Sequence, residues 1–299
     1  MLTSQQILRI RTKGISALHD YWFNSLFAGE PYLERDMLVY YDGRVVTICG
    51  FPFREELFDG EVCRSVARDW ALNRRAEAIV FMGPRRVSLD CLRKEGFRRI
   101  AEARPRRITE ELFIDCSGAP RSAFSTRVYR RSQARDFDLT LRQGGIVSAQ
   151  HLQLLELFYR ERELSEELAE VAFALPAVLR SRRIRLIEAR RNKELCGFAA
   201  FHKPFAHTAV GLLMIVNPTV RGVSDFLYGK MLDQAKLLGA CDLNVGSSPS
   251  LGHFKFKLKW GGQPQVPSCY YAQWARGNMA RRYHISWGPR LTRLKNYSP

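Results

Sequence analysis

The chain has 299 residues, enough for two ordinary domains, and its 46% hydrophobic content, with 18 Phe and 5 Trp, excludes global disorder; the formal net charge is +17. The cysteines at 49, 63, 91, 116, 196, 241 and 269 never form C-x-x-C, which argues against a disulfide framework and a structural zinc, so no metal is expected. No apolar run is long enough to span a membrane, and the N-terminal MLTSQQILRIRTKG lacks a signal-peptide core, so a soluble, cytoplasmic protein without a transmembrane segment is expected.

Ile7, Leu8, Ile15, Leu18, Trp22 and Leu26 predict a helix over 4–27. Met37 to Tyr41 and Val45 to Gly50 flank Asp42-Gly43, a strong hairpin signal. A helix over 61–75 buries Val62, Val66 and Trp70. A strand over 78–82, a helix over 88–95 stopped by Gly96, and strands near 97–103 and 108–116 follow. This order reads as a first domain, 1–120, with no catalytic constellation and no convincing phosphate turn.

Ser117-Gly118-Ala119-Pro120 has linker composition. Arg127, Arg130, Arg131 and Arg135 then gather in a stretch without an acid. In a helix, Arg127, Arg131 and Arg135 share one side. They suit a phosphate-contacting strip, or a solvated interdomain helix. The second half opens with a strand over 137–143 and helices over 148–161 and 165–180, capped by Ser148 and Ser165. Ile184 to Arg190 turns through Asn192-Lys193 into Leu195 to Phe201, a half-buried meander.

The informative stretch is 205–262. Thr208 to Val216 is a nearly unbroken apolar run, as a doubly buried strand should be. Asn217-Pro218 ends it. Arg221 to Asp225 turns the chain, and Ser224 or Asp225 can cap the next helix. There Phe226, Leu227, Met231, Leu232, Ala235 and Leu238 share a side, and Gly239 closes it. A short strand at Leu243 and Val245, a turn over 246–249 and a basic helix to Trp260 follow. A final strand over 264–274 completes a second domain, 121–275. The rest, 276–299, is a basic tail. A strand feeding a turn that opens a helix is an anion site in outline, because the first helical amides and the dipole face the ligand.

This stretch resembles the core of the GNAT superfamily of N-acetyltransferases. In those enzymes a strand ends in V-x-P-x-x-R-G-x-G-x-G/A, and the turn holds the pyrophosphate of coenzyme A. Val216, Pro218, Arg221 and Gly222 match, while Ser224 and Phe226 stand at the two small positions. A phenyl ring where backbone should approach a pyrophosphate argues against ordinary CoA binding. Phe256-Lys257-Leu258-Lys259-Trp260-Gly261-Gly262 is similar to the F-K-x-x-F/W-G signature of the Fem-like, aminoacyl-tRNA-dependent branch, and Gly222 to Leu227 with Asn244-Val245-Gly246 resemble the lysyl-phosphatidylglycerol synthase type. The resemblance implies an α/β protein of tandem GNAT-like domains, each a mixed, mostly antiparallel sheet flanked by helices.

What the resemblance implies about chemistry is direct transfer: an amine attacks the donor's carbonyl, so no covalent nucleophile is needed. Val216, Arg221, Gly222, Val223, Ser224 and Asp225 would bind donor phosphate. The oxyanion would meet a main-chain N–H near 214–216. Lys257 would hold a phosphate or the reacting carbonyl, unless it is a solvated lysine. Asn244 and Ser247 would bind substrate, unless they cap a turn. Candidate bases are Glu188, His202, His207 and His253, and Tyr271, beside Tyr270, is a candidate leaving-group acid. Residues 243–299 hold nine basic residues and no acidic one, so a polyanionic partner is expected. Lys255 and Lys259, with the four arginines, are its candidate nucleic-acid contacts.

Three functional readings follow. One is an acyltransferase that forms an amide on a small-molecule or peptide amine with aminoacyl-tRNA as donor. Another is a CoA-dependent N-acyltransferase. The third is a non-catalytic binding module. No tightly bound cofactor is expected in any of them.

Overall fold

A computed structural model of the chain describes residues 2–13, 29–49, 58–73, 76–83, 86–103, 111–116, 127, 129–132, 136–145, 147–160, 176–246, 248, 251–266, 270–276, 283–284 and 295–296. The expected linker at 117–120, Arg135, Ser165, Ser247 and most of the tail lie outside the described residues.

Helix α1 (Ser4–Lys13) is followed by strands β1 (Glu30–Glu34), β2 (Met37–Tyr41) and β3 (Val45–Cys49). Helix α2 (Gly60–Asn73), β4 (Ala78–Gly83), a 3-10 helix (Asp90–Glu95) and β5 (Phe97–Ala103) come next. Strands β6 (Glu111–Asp115) and β7 (Asp138–Gln143), helix α3 (Ala149–Arg160), and strands β8 (Arg185–Arg191), β9 (Glu194–His202) and β10 (Thr208–Val216) follow. Helix α4 (Val223–Leu237), β11 (Asp242–Asn244), helix α5 (Leu251–Lys259), β12 (Gln263–Val266) and β13 (Tyr270–Arg276) complete the two main sheets. A two-residue ladder, β14 (Tyr283–His284) with β15 (Lys295–Asn296), ends the chain.

Most elements lie where the apolar periodicity places them. The Asp42-Gly43 hairpin forms: the Asp42 carboxylate accepts from the amides of Arg44 and Val45. β1 was not legible, because Glu30-Pro31-Tyr32-Leu33-Glu34 lacks a clean alternation and its proline suits the edge strand it forms.

The first sheet has the order β1-β2-β3-β4-β13-β5, and the second β12-β6-β11-β10-β9-β8-β7. Each is mostly antiparallel and holds a parallel pair, β3 with β4 in the first and β10 with β11 in the second. Beyond that pair each sheet takes its next strand from the other half of the sequence. β13 enters between β4 and β5, and β6 lies beside β11. Two compact units result, one of 1–111, 247–251 and 264–299, the other of 112–246 and 252–263. The contiguous boundaries at 120 and 275 are therefore corrected by an exchange of strands. The single strand expected over 264–274 is two strands in different sheets.

In the first unit, β2, β3, β4, α2 and β13 bury Val39, Ile48, Trp70, Phe81 and Trp274 together. Trp70 packs its ring edge against Tyr32, at 5.0 Å between centroids. β3 and β4 pair along five residues, from Val45 with Ala78 to Cys49 with Met82. In the second unit, Val223, Phe226, Leu227, Met231 and Ala235 of α4 pack on Ile187, Ala189, Ala199 and Phe201 of the sheet. Each large side chain so buried contributes about 1.5–3 kcal/mol. Close approach of α4 requires Gly197 on β9: a Cβ there would lie 2.5 Å from a Val223 methyl and 3.1 Å from the Ile215 carbonyl oxygen. Gly197→Ala should therefore lower unfolding free energy by about 1–3 kcal/mol, read by urea denaturation; an unchanged midpoint would mean that α4 does not seat there as described.

Candidate functional site

The second unit opens where its parallel pair ends. β10 and β11 pair at only three positions, Thr208–Asp242, Ala209–Leu243 and Val210–Asn244. β11 stops at Asn244, while β10 runs to Val216 on its ladder with β9. The β10–β9 register slips between Gly211 and Leu213, making Leu212 the extra residue of a bulge. A bulge re-aims the backbone, and this one lies at 211–213, whereas Met214, Ile215 and Val216 are regularly paired with Ala199, Phe198 and Gly197. The signal was Gly211, a lone glycine inside an apolar strand. Its Cβ would meet the Met231 sulfur at 3.4 Å and the Asn244 carbonyl at 3.5 Å.

β10 delivers the chain to the Arg221–Gly222 turn. Gly222 is the N-cap of α4 with φ 87°, a left-handed conformation that suits glycine. The first helical bond runs from the Phe226 N–H to the Gly222 carbonyl, so the amides of Val223, Ser224 and Asp225 precede the ladder, at the positive end of the dipole. Arg221 is exposed beside them. Neither Ser224 nor Asp225 caps the helix, which has no side-chain cap. Phe226 corrects a further expectation. Its ring is buried, tilted against Phe137 at 5.3 Å, and so points into the core and not across the turn.

Asp225 is instead an anchor. Its carboxylate accepts from Lys259 Nζ at 3.1 Å and from the Trp260 indole N–H at 3.2 Å. Trp260 and Phe256 pack on the buried Tyr228, whose hydroxyl burial raises above its ordinary pKa. Lys257 is buried, and its Nζ donates to the Gly246 carbonyl at 3.0 Å. The Gly261 N–H bonds to Leu258 and the Gly262 N–H to Lys257, with Gly261 at φ 84°. That is a Schellman ending. The F-K-x-x-W-G-G segment thus braces the Arg221–Gly222 turn and the end of β11, a role that its spacing alone did not reveal.

Asn244 and His202 share one face of the sheet. Val210 lies between them, paired with both. Both side chains are buried, and Asn244 Oδ1 accepts from the Gly246 amide at 2.7 Å, capping the turn. Tyr271 is on β13, paired with Met82 and Ala103; the second sheet does not contain it, and its side chain lies outside the described residues. Arg127, Arg130, Arg131 and Lys255 are exposed. The 129–132 turn is tied to α4 by the Tyr129 hydroxyl on Asp233. Lys259 is engaged by Asp225.

Glu188 on β8 is fully buried. Its Oε2 accepts from Arg190 Nε at 2.9 Å and Nη2 at 2.8 Å, and its Oε1 faces His151 Nε2 at 3.4 Å and Arg142 Nε at 3.7 Å. Burial raises its pKa, but the hydrogen bonds from His151 and Arg190 and the charges of Arg142 and Arg190 outweigh it and hold the carboxyl at about 2. Glu188 is therefore a fixed anion and not a base that takes a proton near neutrality. Burial pushes the Cys49, Cys63 and Cys116 thiols up to about 12. Among the described residues no three His, Cys, Asp or Glu side chains gather as a metal site needs, and no helix is long and apolar enough to cross a membrane.

No family model and no curated protein matches the sequence. Among solved structures, FemX is similar over 91% of this chain and 96% of its own, with TM-score 0.58 and 11% identity. The chain has the fold of FemX. Two further structures are similar to it. A conserved protein of unknown function from Bacteroides thetaiotaomicron is similar over 90% of this chain and 92% of its own, with TM-score 0.55 and 15% identity. The C-terminal DUF2156 domain assigned to a lysylphosphatidylglycerol synthetase from Agrobacterium fabrum is similar over 93% and 94%, with TM-score 0.51 and 13% identity. The Fem-like reading of Val216 to Gly222 and Phe256 to Gly262 thus pointed to the right fold.

Two outcomes test this geometry. Lys257→Met removes one of two donors to the Gly246 carbonyl, which also accepts from the Leu112 N–H, and should lower unfolding free energy by about 1 kcal/mol; a solvated lysine would leave the denaturation midpoint in place. The Glu188 carboxyl is depressed in the folded state, so its contribution of about 3 kcal/mol is present above pH about 4.5 and is lost as pH falls towards about 2. Glu188→Gln should flatten that part of the stability–pH profile.

Proposed function

We propose that this protein is an acyltransferase that forms an amide by direct transfer from an activated donor bound along the opening between β10 and β11. The observation that carries the reading is the parting of these strands after Val210 and Asn244, with β10 continuing to a turn of backbone amides at the N-terminus of a 15-residue helix. The opening exposes strand edge for a donor's carbonyl, and the turn offers amides and Arg221 to its phosphates. A main-chain N–H of 211–213 would hold the oxyanion. An acceptor amine on a small molecule or peptide would attack from the face that carries His202 and Asn244. The Asp225–Lys259–Trp260 brace would hold the phosphate turn in register with that opening.

An aminoacyl-tRNA is the donor we favour. The chain has the fold of FemX, the F-K-x-x-W-G segment resembles a branch that uses such donors, and Arg127, Arg130, Arg131 and Lys255 are exposed on the same unit. One observation favours a second reading, CoA-dependent transfer: the Phe226 ring is turned into the core, so it does not obstruct a pyrophosphate at Gly222. A single comparison separates the two. Purified protein is mixed with labelled aminoacyl-tRNAs, and separately titrated with acetyl-CoA in a calorimeter. Protection or deacylation of an aminoacyl-tRNA, weakened in an Arg127/Arg130/Arg131 triple alanine variant, is the expected result. Saturable CoA heat without a tRNA effect transfers the reading to the second donor. Silence in both overturns the transferase reading in favour of a binding module.

A further inference from the structure

Ser148, His151 and Glu188 lie apart from the donor turn and have no part in direct transfer. Ser148 is half-buried immediately before α3, with its Oγ 2.7 Å from His151 Nδ1. The Ser148 amide also donates to Nδ1, at 3.2 Å, which fixes Nδ1 as an acceptor and leaves the ring proton on Nε2. That nitrogen lies 3.4 Å from Glu188 Oε1, in ion-pair reach without a formed hydrogen bond. His151 is 1% exposed and edge-on to Phe198 at 4.9 Å, so the ring has one orientation. The side chains of Glu188, Arg190, Arg142, Gln150 and Phe198 surround this line, and Arg190 Nη1 reaches Gln150 Oε1 at 2.8 Å. The amides of Ala149 and Gln150 precede the first main-chain bond of the helix, from His151 N–H to the Ser148 carbonyl. They adjoin the hydroxyl at the positive end of the dipole.

A hydroxyl within hydrogen-bond reach of a buried imidazole that has a carboxylate on its far side is the arrangement that activates a nucleophile. The 3.4 Å spacing is of the kind that shortens when the ring gains charge. We propose that Ser148 is a nucleophile towards activated carboxylic esters, with His151 as its base and Glu188 orienting the ring. Ser148 Oγ forms a bond to the ester carbonyl carbon, and its proton passes to His151 Nδ1. The ester C–O bond then breaks, and the leaving alcohol takes that proton. Water attacks the acyl-serine through the same base, freeing Ser148, so that ester and water become acid and alcohol. Glu188 stays a carboxylate throughout. This activity needs neither the Arg221–Gly222 turn nor a nucleotide-bearing donor.

The test uses the full chain and a fluorophosphonate probe, with the modified residue located by mass spectrometry, alongside p-nitrophenyl ester hydrolysis as a function of pH. The expected result is an adduct on Ser148 and hydrolysis that rises with pH through the titration of a single base. Both should fall on the order of a hundredfold in His151→Gln. Ser148→Asn keeps a helix cap, so it should melt as the native protein does while losing the adduct. A native protein without an adduct on Ser148, or hydrolysis unchanged in Ser148→Asn, overturns the proposal and leaves Ser148 as the cap of α3. Since the assay contains neither tRNA nor CoA, its outcome is independent of the donor reading.

Discussion

The second unit depends on a mismatch of strand lengths. β11 has three residues and β10 has nine, so parallel pairing can hold only as far as Val210 and Asn244. Beyond that point β10 continues on its ladder with β9, past the end of β11. The β9 ladder and the buried face of α4 hold β10 in place. Gly197 is part of that arrangement, since only a residue without a Cβ lets Val223 come so close. In the first unit β3 and β4 pair over their whole length, so the equivalent opening is absent from their described residues.

Two carboxylates of the second unit show how charge is managed in it. Asp225 sits in the first turn of α4 and takes an ammonium and an indole N–H from the end of α5. That contact converts a sequence signature into a brace between two helices. Glu188 is more deeply buried and is held by two arginines and a histidine. A buried charge persists only with such partners, and removing one of them leaves the other uncompensated. Glu188 is thus a fixed anion, and a proton taken up near neutrality must go to a different side chain.

The exchange of strands explains both the successes and the failures of reading this chain linearly. Local patterns placed nearly every helix and strand, because apolar periodicity, Asp42-Gly43, Asn192-Lys193 and Gly239 act over a few residues. The assignment of β6 and β13 to their own halves failed for the opposite reason. Both are short strands whose sequences fit a buried position in any sheet. Which sheet they join is decided by edges created far away in the sequence, beside β11 and between β4 and β5. Two lines of linear reading therefore mispaired the chain while naming the right fold.

The sequence by itself determined most of the helices and strands, the turn at Arg221–Gly222 and the Fem-like resemblance, since each rests on spacing within a short window. Only the tertiary structure decided where side chains point. It turned Phe226 into the core, spent Lys257 on the Gly246 carbonyl, and placed a bulge at Gly211–Leu213. It also brought Ser148 and His151 to Glu188, forty residues on in the chain. These outcomes follow from which face of a helix or sheet is buried and against what, a property of packed layers that no window of sequence contains.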